Sequence, residues 1–201
     1  MKLFLLHLSA ALVATANSLN CVCTGSPECS TGTCSIPESE AICVTVAQQN
    51  NMEGILATGI SRGCQQDSQL CNEAVSVTVS GGLFTRTISR CCTTENCNKT
   101  PLELPPRNLT KNGVNCPASF ALGSNRLEET GTLSCTGDEK SCISAAGELT
   151  AGDAAPLPFI ASGCASATAC SLPVKTYLTT GAMDFLLKQI KCSPAPATNS
   201  G

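Results

Sequence analysis

Alternation of apolar and polar residues marks the first half of the chain. Ala74-Val75-Ser76-Val77-Thr78-Val79-Ser80 alternates cleanly, and Ala41-Ile42-Cys43-Val44-Thr45-Val46-Ala47 is rich in β-branched side chains. A period of two sends successive side chains to opposite faces, so both stretches predict half-buried strands. Gly81-Gly82 leads from the first of these into Leu83-Phe84-Thr85-Arg86-Thr87-Ile88-Ser89-Arg90-Cys91. Paired glycines supply the positive φ angles of a tight turn, so a hairpin is expected there. Ile55 to Cys64 predicts a strand opposite Ala41 to Ala47, with Gln48 to Gly54 as a polar, exposed tip.

The second half repeats this pattern more loosely. Gly131 to Cys135, Cys142 to Ala146 and Phe159 to Gly163 are strand candidates, and Gly147 to Pro158 reads as a long tip of small residues. Met183, Leu186, Leu187 and Ile190 fall at helical spacing, yet Asp184 to Cys192 also suits a strand. The strand is favoured because it closes a hairpin opened by Val174 to Thr180. At the start, Lys2 precedes an apolar run from Leu3 to Ala14 and small residues up to Ser18. That order describes a secretory leader over residues 1–18, too short to span a bilayer comfortably. The end, Lys191 to Gly201, is small and polar. It carries no hydrophobic tail, so no membrane anchor is expected.

Composition sharpens the picture. Sixteen of 201 residues are cysteine, aromatics are 3% and Trp is absent. Such chains are held by disulfides rather than by aromatic bulk, which disfavours a TIM barrel or a doubly wound nucleotide-binding domain. The sole histidine, His7, lies in the leader. The mature chain then has no Ser-His-Asp or Cys-His centre and no His-ligated metal, so it reads as a non-enzyme without a cofactor. Losing Lys2 leaves eleven basic against fifteen acidic residues. An acidic chain without basic clusters is a poor nucleic-acid binder.

The cysteines fall into ten from Cys21 to Cys97 and six from Cys116 to Cys192. Both counts are even, so each half can close its own bridges. Irregular spacings and the lack of Cys-x-x-Cys favour structural disulfides over zinc or redox sites. Adjacent Cys91 and Cys92 point to opposite sides of one strand. Between the sets, Pro101, Pro105 and Pro106 disfavour helix and interior strand, so residues 101–111 read as an extended linker. Each half is small enough to need staples worth about 2–4 kcal/mol apiece.

Leu19-Asn20-Cys21 and the closing Cys91-Cys92-Thr93-Thr94-Glu95-Asn96-Cys97-Asn98 resemble the borders of a three-finger domain of the lymphocyte-antigen/urokinase-receptor family. The resemblance implies a disulfide-rich all-β chain of two tandem three-finger domains, residues 19–100 and 112–201. It implies bridges Cys21–Cys43, Cys23–Cys29, Cys34–Cys64, Cys71–Cys91 and Cys92–Cys97, then Cys116–Cys142, Cys135–Cys164 and Cys170–Cys192. The opening Cys21-Val22-Cys23 is tighter than the family's usual gap. The ten-plus-six arrangement, with Asn112-Gly113-Val114-Asn115-Cys116-Pro117 and the Cys135 to Cys142 segment, looks like gamma-type phospholipase A2 inhibitors. It looks equally like the sodefrin-precursor-like factors, amphibian courtship pheromones, and Asn108 to Gly113 leans toward these.

Individual residues follow. In the family the Asn corresponding to Asn98 ties the base of the fingers together, so its Asn98-Lys99-Thr100 sequon reads as structural. Asn108-Leu109-Thr110, on an exposed linker, reads as a glycosylation site. Asp138 and Glu139 beside Gly137 read as a solvated turn. Phe84 at a hairpin tip, and Leu102, Leu104, Pro105 and Pro106 on a pre-extended segment, are candidate partner contacts. The chain is therefore expected to be a secreted protein-binding protein whose partner is extracellular. That partner is either a secreted phospholipase A2 or, for a pheromone, a receptor. The inhibitor resemblance also allows for an oligomer.

Overall fold

The computed structural model describes residues 18–24, 29, 31–37, 41–65, 71–124, 126, 131–180 and 183–194. The expected leader lies outside them, except for Ser18, which opens the first strand. Among the described residues twelve strands follow in order. In the first half they are β1 (Ser18–Val22), β2 (Thr33–Pro37), β3 (Ile42–Asn50), β4 (Ala57–Gln65), β5 (Ala74–Val79) and β6 (Phe84–Cys92). In the second they are β7 (Lys111–Leu122), β8 (Gly131–Thr136), β9 (Ser141–Ala151), β10 (Leu157–Ala165), β11 (Tyr177–Thr180) and β12 (Met183–Pro194). A single helical turn, α1 (Ala167–Cys170), is capped by the Ser166 side chain.

Each half is three antiparallel hairpins on a sulfur-filled base. In the first, β3 lies between its hairpin partner β4 and the returning strand β6. In the second, β9 lies between β10 and β12 in the same way. The bridges repeat this correspondence. Cys21–Cys43 joins β1 to β3 and Cys34–Cys64 joins β2 to β4. Cys116–Cys142 joins β7 to β9 and Cys135–Cys164 joins β8 to β10. The third finger of each half is stapled by Cys71–Cys91 and by Cys170–Cys192. Cys23–Cys29 and Cys92–Cys97 close small loops in the first half only. The chain is thus a disulfide-rich all-β protein of two tandem three-finger units.

The halves share one sheet. Along one edge β10 pairs with β9 throughout. Along the other it pairs first with β7 and then, over Gly163 to Ala165, with Val77 to Val79 of β5. They share a core as well. Val75 and Val79 of the first half are buried with Ile143, Leu149, Phe159, Phe185 and Leu187 of the second. Phe159 and Phe185 meet edge to face, centroids 5.2 Å apart. The base of the first half is Leu19, Ala41 and the buried Cys21–Cys43 bridge.

Several strands are longer than their composition suggests. β3 runs to Asn50, which is buried, so Gln48 to Gly54 is not an exposed polar tip. The reason is the neighbouring hairpin: Asn51 accepts a hydrogen bond from Phe84 N and donates one to Gly82 O. Likewise Gly147 to Pro158 is not one long tip, because β9 reaches Ala151 and β10 begins at Leu157. A side chain at Gly147 would meet Leu186 O, so the small residue lets β12 pack closely. Asp184 to Cys192 lies within β12, paired with β11 and β9.

Candidate functional site

Two regions offer surfaces to a partner. The first is the tip of the β3–β4 finger. Gly54 adopts positive φ, and the chain then presents Ile55 and Leu56, which are 68% and 65% exposed. Burying a large aliphatic side chain gains about 1.5–3 kcal/mol, so an adjacent exposed pair on a bridged hairpin is a natural anchor. Leu122 and Leu157, at the far ends of β7 and β10, are also exposed, as are Val174 and Tyr177 around the start of β11.

The second region is the joint between the halves. Here the residues expected to contact partners are largely turned inward. Phe84 is buried rather than exposed. The linker folds back over it and lays the Arg107 guanidinium 3.9 Å from its ring centroid, in a cation–π contact. Arg107 Nη2 also donates to Thr78 Oγ1 at 2.8 Å. Leu102 is buried and Leu104 half-buried, leaving Pro105 and Pro106 exposed. The segment is a packed strap, with a shallow groove of β3, β4 and β6 side chains beside Leu102 and Leu104.

Glu139 departs furthest from the solvated turn expected of it. It is 2% exposed, while Asp138 beside it is exposed. Asn112 builds this turn by donating to Gly137 O and Glu139 O at 3.1 and 3.0 Å. The turn delivers Glu139 Oε1 to two hydroxyls of β5, Ser76 Oγ at 2.5 Å and Thr78 Oγ1 at 2.8 Å. Its other oxygen is buried with no partner among the described residues. Burial pushes the carboxyl above its ordinary range, against the lowering effect of the two hydroxyls and Arg107.

Asn98 is buried. Its Oδ1 accepts from Val22 N at 2.9 Å, and its Nδ2 donates to Val22 O at 2.8 Å and Val44 O at 3.1 Å. One amide therefore joins β1 to β3. Asn108 is exposed and its Oδ1 accepts from Thr110 N at 3.0 Å, turning the chain into β7. The two close groups of cysteine sulfurs, Cys21/Cys34/Cys64 and Cys116/Cys135/Cys164, belong to disulfides and offer no thiolate ligands.

Sequence reasoning missed Ile55 and Leu56 as a tip, and Arg107 and Glu139 as partners of the joint. An apolar pair directly after a glycine in a polar loop was the available signal for the first. None existed for the second, which depends on contacts between residues far apart in the chain.

No protein-family model matches the chain. It is 27% identical over 191 residues to the phospholipase A2 inhibitor NAI of Notechis ater, covering 94% of this chain and 93% of that protein. It is 26% identical to a gamma-chain phospholipase A2 inhibitor of Laticauda semifasciata, covering 84% of this chain and 91% of that one. It is 35% identical over 113 residues to the rat protein RoBo-1, a match that spans 55% of this chain and only 44% of the rat protein. Among solved structures, mouse TEX101 aligns at a TM-score of 0.30 and 16% identity, over 77% of this chain and 81% of that one. With its repeated hairpin order and bridges, the chain has a tandem three-finger fold and is similar over nearly its whole length to snake phospholipase A2 inhibitors.

Proposed function

We propose that this protein is a secreted, non-enzymatic binder that caps a secreted phospholipase A2 and masks its lipid-facing surface or active-site mouth. The observation that carries the reading is the near full-length similarity to two snake phospholipase A2 inhibitors. The surface supports it. Ile55 and Leu56 stand exposed at the end of a hairpin bridged at its base. Holding the tip in place before binding reduces the ordering cost of association. An apolar anchor suits an enzyme surface made to meet lipid.

The test is calorimetric titration of the oxidised mature protein against a panel of secreted phospholipases A2, with hydrolysis followed in parallel. Submicromolar binding with loss of hydrolysis is expected for at least one group. The double substitution Ile55→Asp and Leu56→Asp is expected to weaken that binding roughly tenfold or more, the loss of one good anchor. Its melting temperature is expected to stay that of the parent, because both side chains are solvent-exposed. No inhibition of any group at micromolar excess overturns the reading and leaves the receptor ligand as the next function to test.

A further inference from the structure

A cleft of about 300 Å³ opens at the joint, away from the finger tips. Its walls come from β5, β6, the linker strap and the turn before β9. Two guanidinium groups line it, Arg86 of β6 and Arg107 of the strap. Neither has a carboxylate within ion-pair distance among the described residues, where Lys188–Glu148 is the ion pair observed. Arg86 gives its Nε to Gln49 Oε1 at 2.9 Å, and Arg107 gives one Nη2 bond to Thr78. Burial and the nearby Arg107 charge hold Arg86 below its ordinary range, while Asp138 on the exposed rim pulls the other way. Glu139 lines the same cleft with one carboxylate oxygen buried and without a partner among the described residues.

We propose that this cleft is a binding site for a small organic oxyanion, a carboxylate or a phosphate ester, held between Arg86 and Arg107. The planar fork of a guanidinium matches both groups and bonds them in charge-assisted pairs. An anion placed between two like charges relieves their repulsion; a cation would add to it. The cleft size is at the lower end of small-molecule sites. The rest of the wall is mixed: Ile88, Pro105 and Pro106 give an apolar stretch against which a short hydrocarbon body can lie, beside polar Thr87, Asn108 and Thr136. Glu139 tunes the site. Protonated on its free oxygen, it keeps both hydroxyl bonds on Oε1 and removes a negative charge from the cleft. Arg107 and Asp138 are the charged groups that act on it, and Arg86 lines the same cleft. Anion binding is therefore tighter in mild acid. This site does not depend on the phospholipase reading.

The experiment is a titration of the full oxidised protein followed by amide NMR, using inorganic phosphate, acetate and butyrate as probes. Saturable shifts at Arg86, Arg107 and their neighbours are expected, with butyrate bound more tightly than acetate. The phosphate and carboxylate arms decide which oxyanion is preferred. Arg86→Gln is expected to weaken binding roughly tenfold, and Arg86→Lys, which keeps the charge but loses the fork, to recover only part of it. For butyrate, the parent binds more tightly at mildly acid than at neutral pH, and Glu139→Gln binds alike at both. Absence of saturable shifts with every probe up to tens of millimolar overturns the proposal. So does binding that Arg86→Gln leaves unchanged in a variant that melts like the parent.

Discussion

Asn98 satisfies three backbone groups with one side-chain amide. Removing it leaves Val22 N–H, Val22 C=O and Val44 C=O without these bonds at a part-buried site. Each unmade bond of this kind costs about 1–3 kcal/mol, though water can reach part of a small void. Asn98→Ala is therefore expected to lower unfolding stability by roughly 2–4 kcal/mol, read from urea midpoints. The same geometry separates the two sequons. Both hydrogens of Asn98 Nδ2 are committed, so an N-glycan there is incompatible with the fold. At Asn108 the backbone bond uses Oδ1 and the residue is exposed. Mass spectrometry of secreted protein is expected to find glycan at Asn108 alone, and Asn108→Gln to remove it. Glu139 gives a third outcome. Its folded carboxyl keeps its proton to higher pH than in the unfolded chain, where glutamate titrates near about 4.3. Between those two values the folded state binds more protons, so stability falls as pH rises through that window. Glu139→Gln keeps an oxygen for the Ser76 and Thr78 hydroxyls but does not titrate. Its urea midpoint is expected to be flatter across the window and higher than the parent's above it.

At the level of elements, the legible strands are those whose local chemistry agrees with their place. β5 alternates because one face meets the shared core, and Gly81 and Gly82 both take positive φ at its turn. β12 was ambiguous because apolar spacing alone does not separate a short helix from a strand. Pairing on two edges, with β9 and β11, decides it. The misreadings share a cause. Gly147 and its neighbours look like turn residues, yet smallness there serves close packing under Leu186. Phe84 and Leu102 look like exposed anchors because their partners, Arg107 and the first-half strands, lie elsewhere in the sequence. Glu139 sits among Gly137, Asp138 and Lys140, a composition that reads as solvated. What buries it is β5, more than sixty residues upstream. Local pattern carries strand identity; it does not carry which strand another half will cover.

At the level of the whole molecule, the repeat makes a direct comparison available. Gly63 precedes Cys64 in β4, and Gly163 precedes Cys164 in β10, so they occupy corresponding places in the two halves. β4 ends the long sheet, met on its outer edge by Thr24 in a bridge to Arg62, and among the described residues a side chain at Gly63 would meet nothing within 4 Å. β10 instead carries β5 on that edge, and a Cβ at Gly163 would lie 2.0 Å from Thr78 O and 2.9 Å from Val79 Cα. Those atoms are backbone and have no rotamer to yield. Gly163→Ala must therefore part β10 from β5, and with it the Ser76 and Thr78 bonds to Glu139. The parent, with one shared core, is expected to unfold in a single transition when probes in both halves are followed. Gly163→Ala is expected to unfold in two steps. Hydrogen exchange should quicken first at Ser76 to Val79 and at Gly163 to Ala165. Gly63→Ala is expected to stay within about 0.5 kcal/mol of the parent. If Gly163→Ala instead kept one transition at the parent's midpoint, the continuous sheet would not be what couples the two halves. Their cooperation would then rest on the core around Phe159 and Phe185 alone.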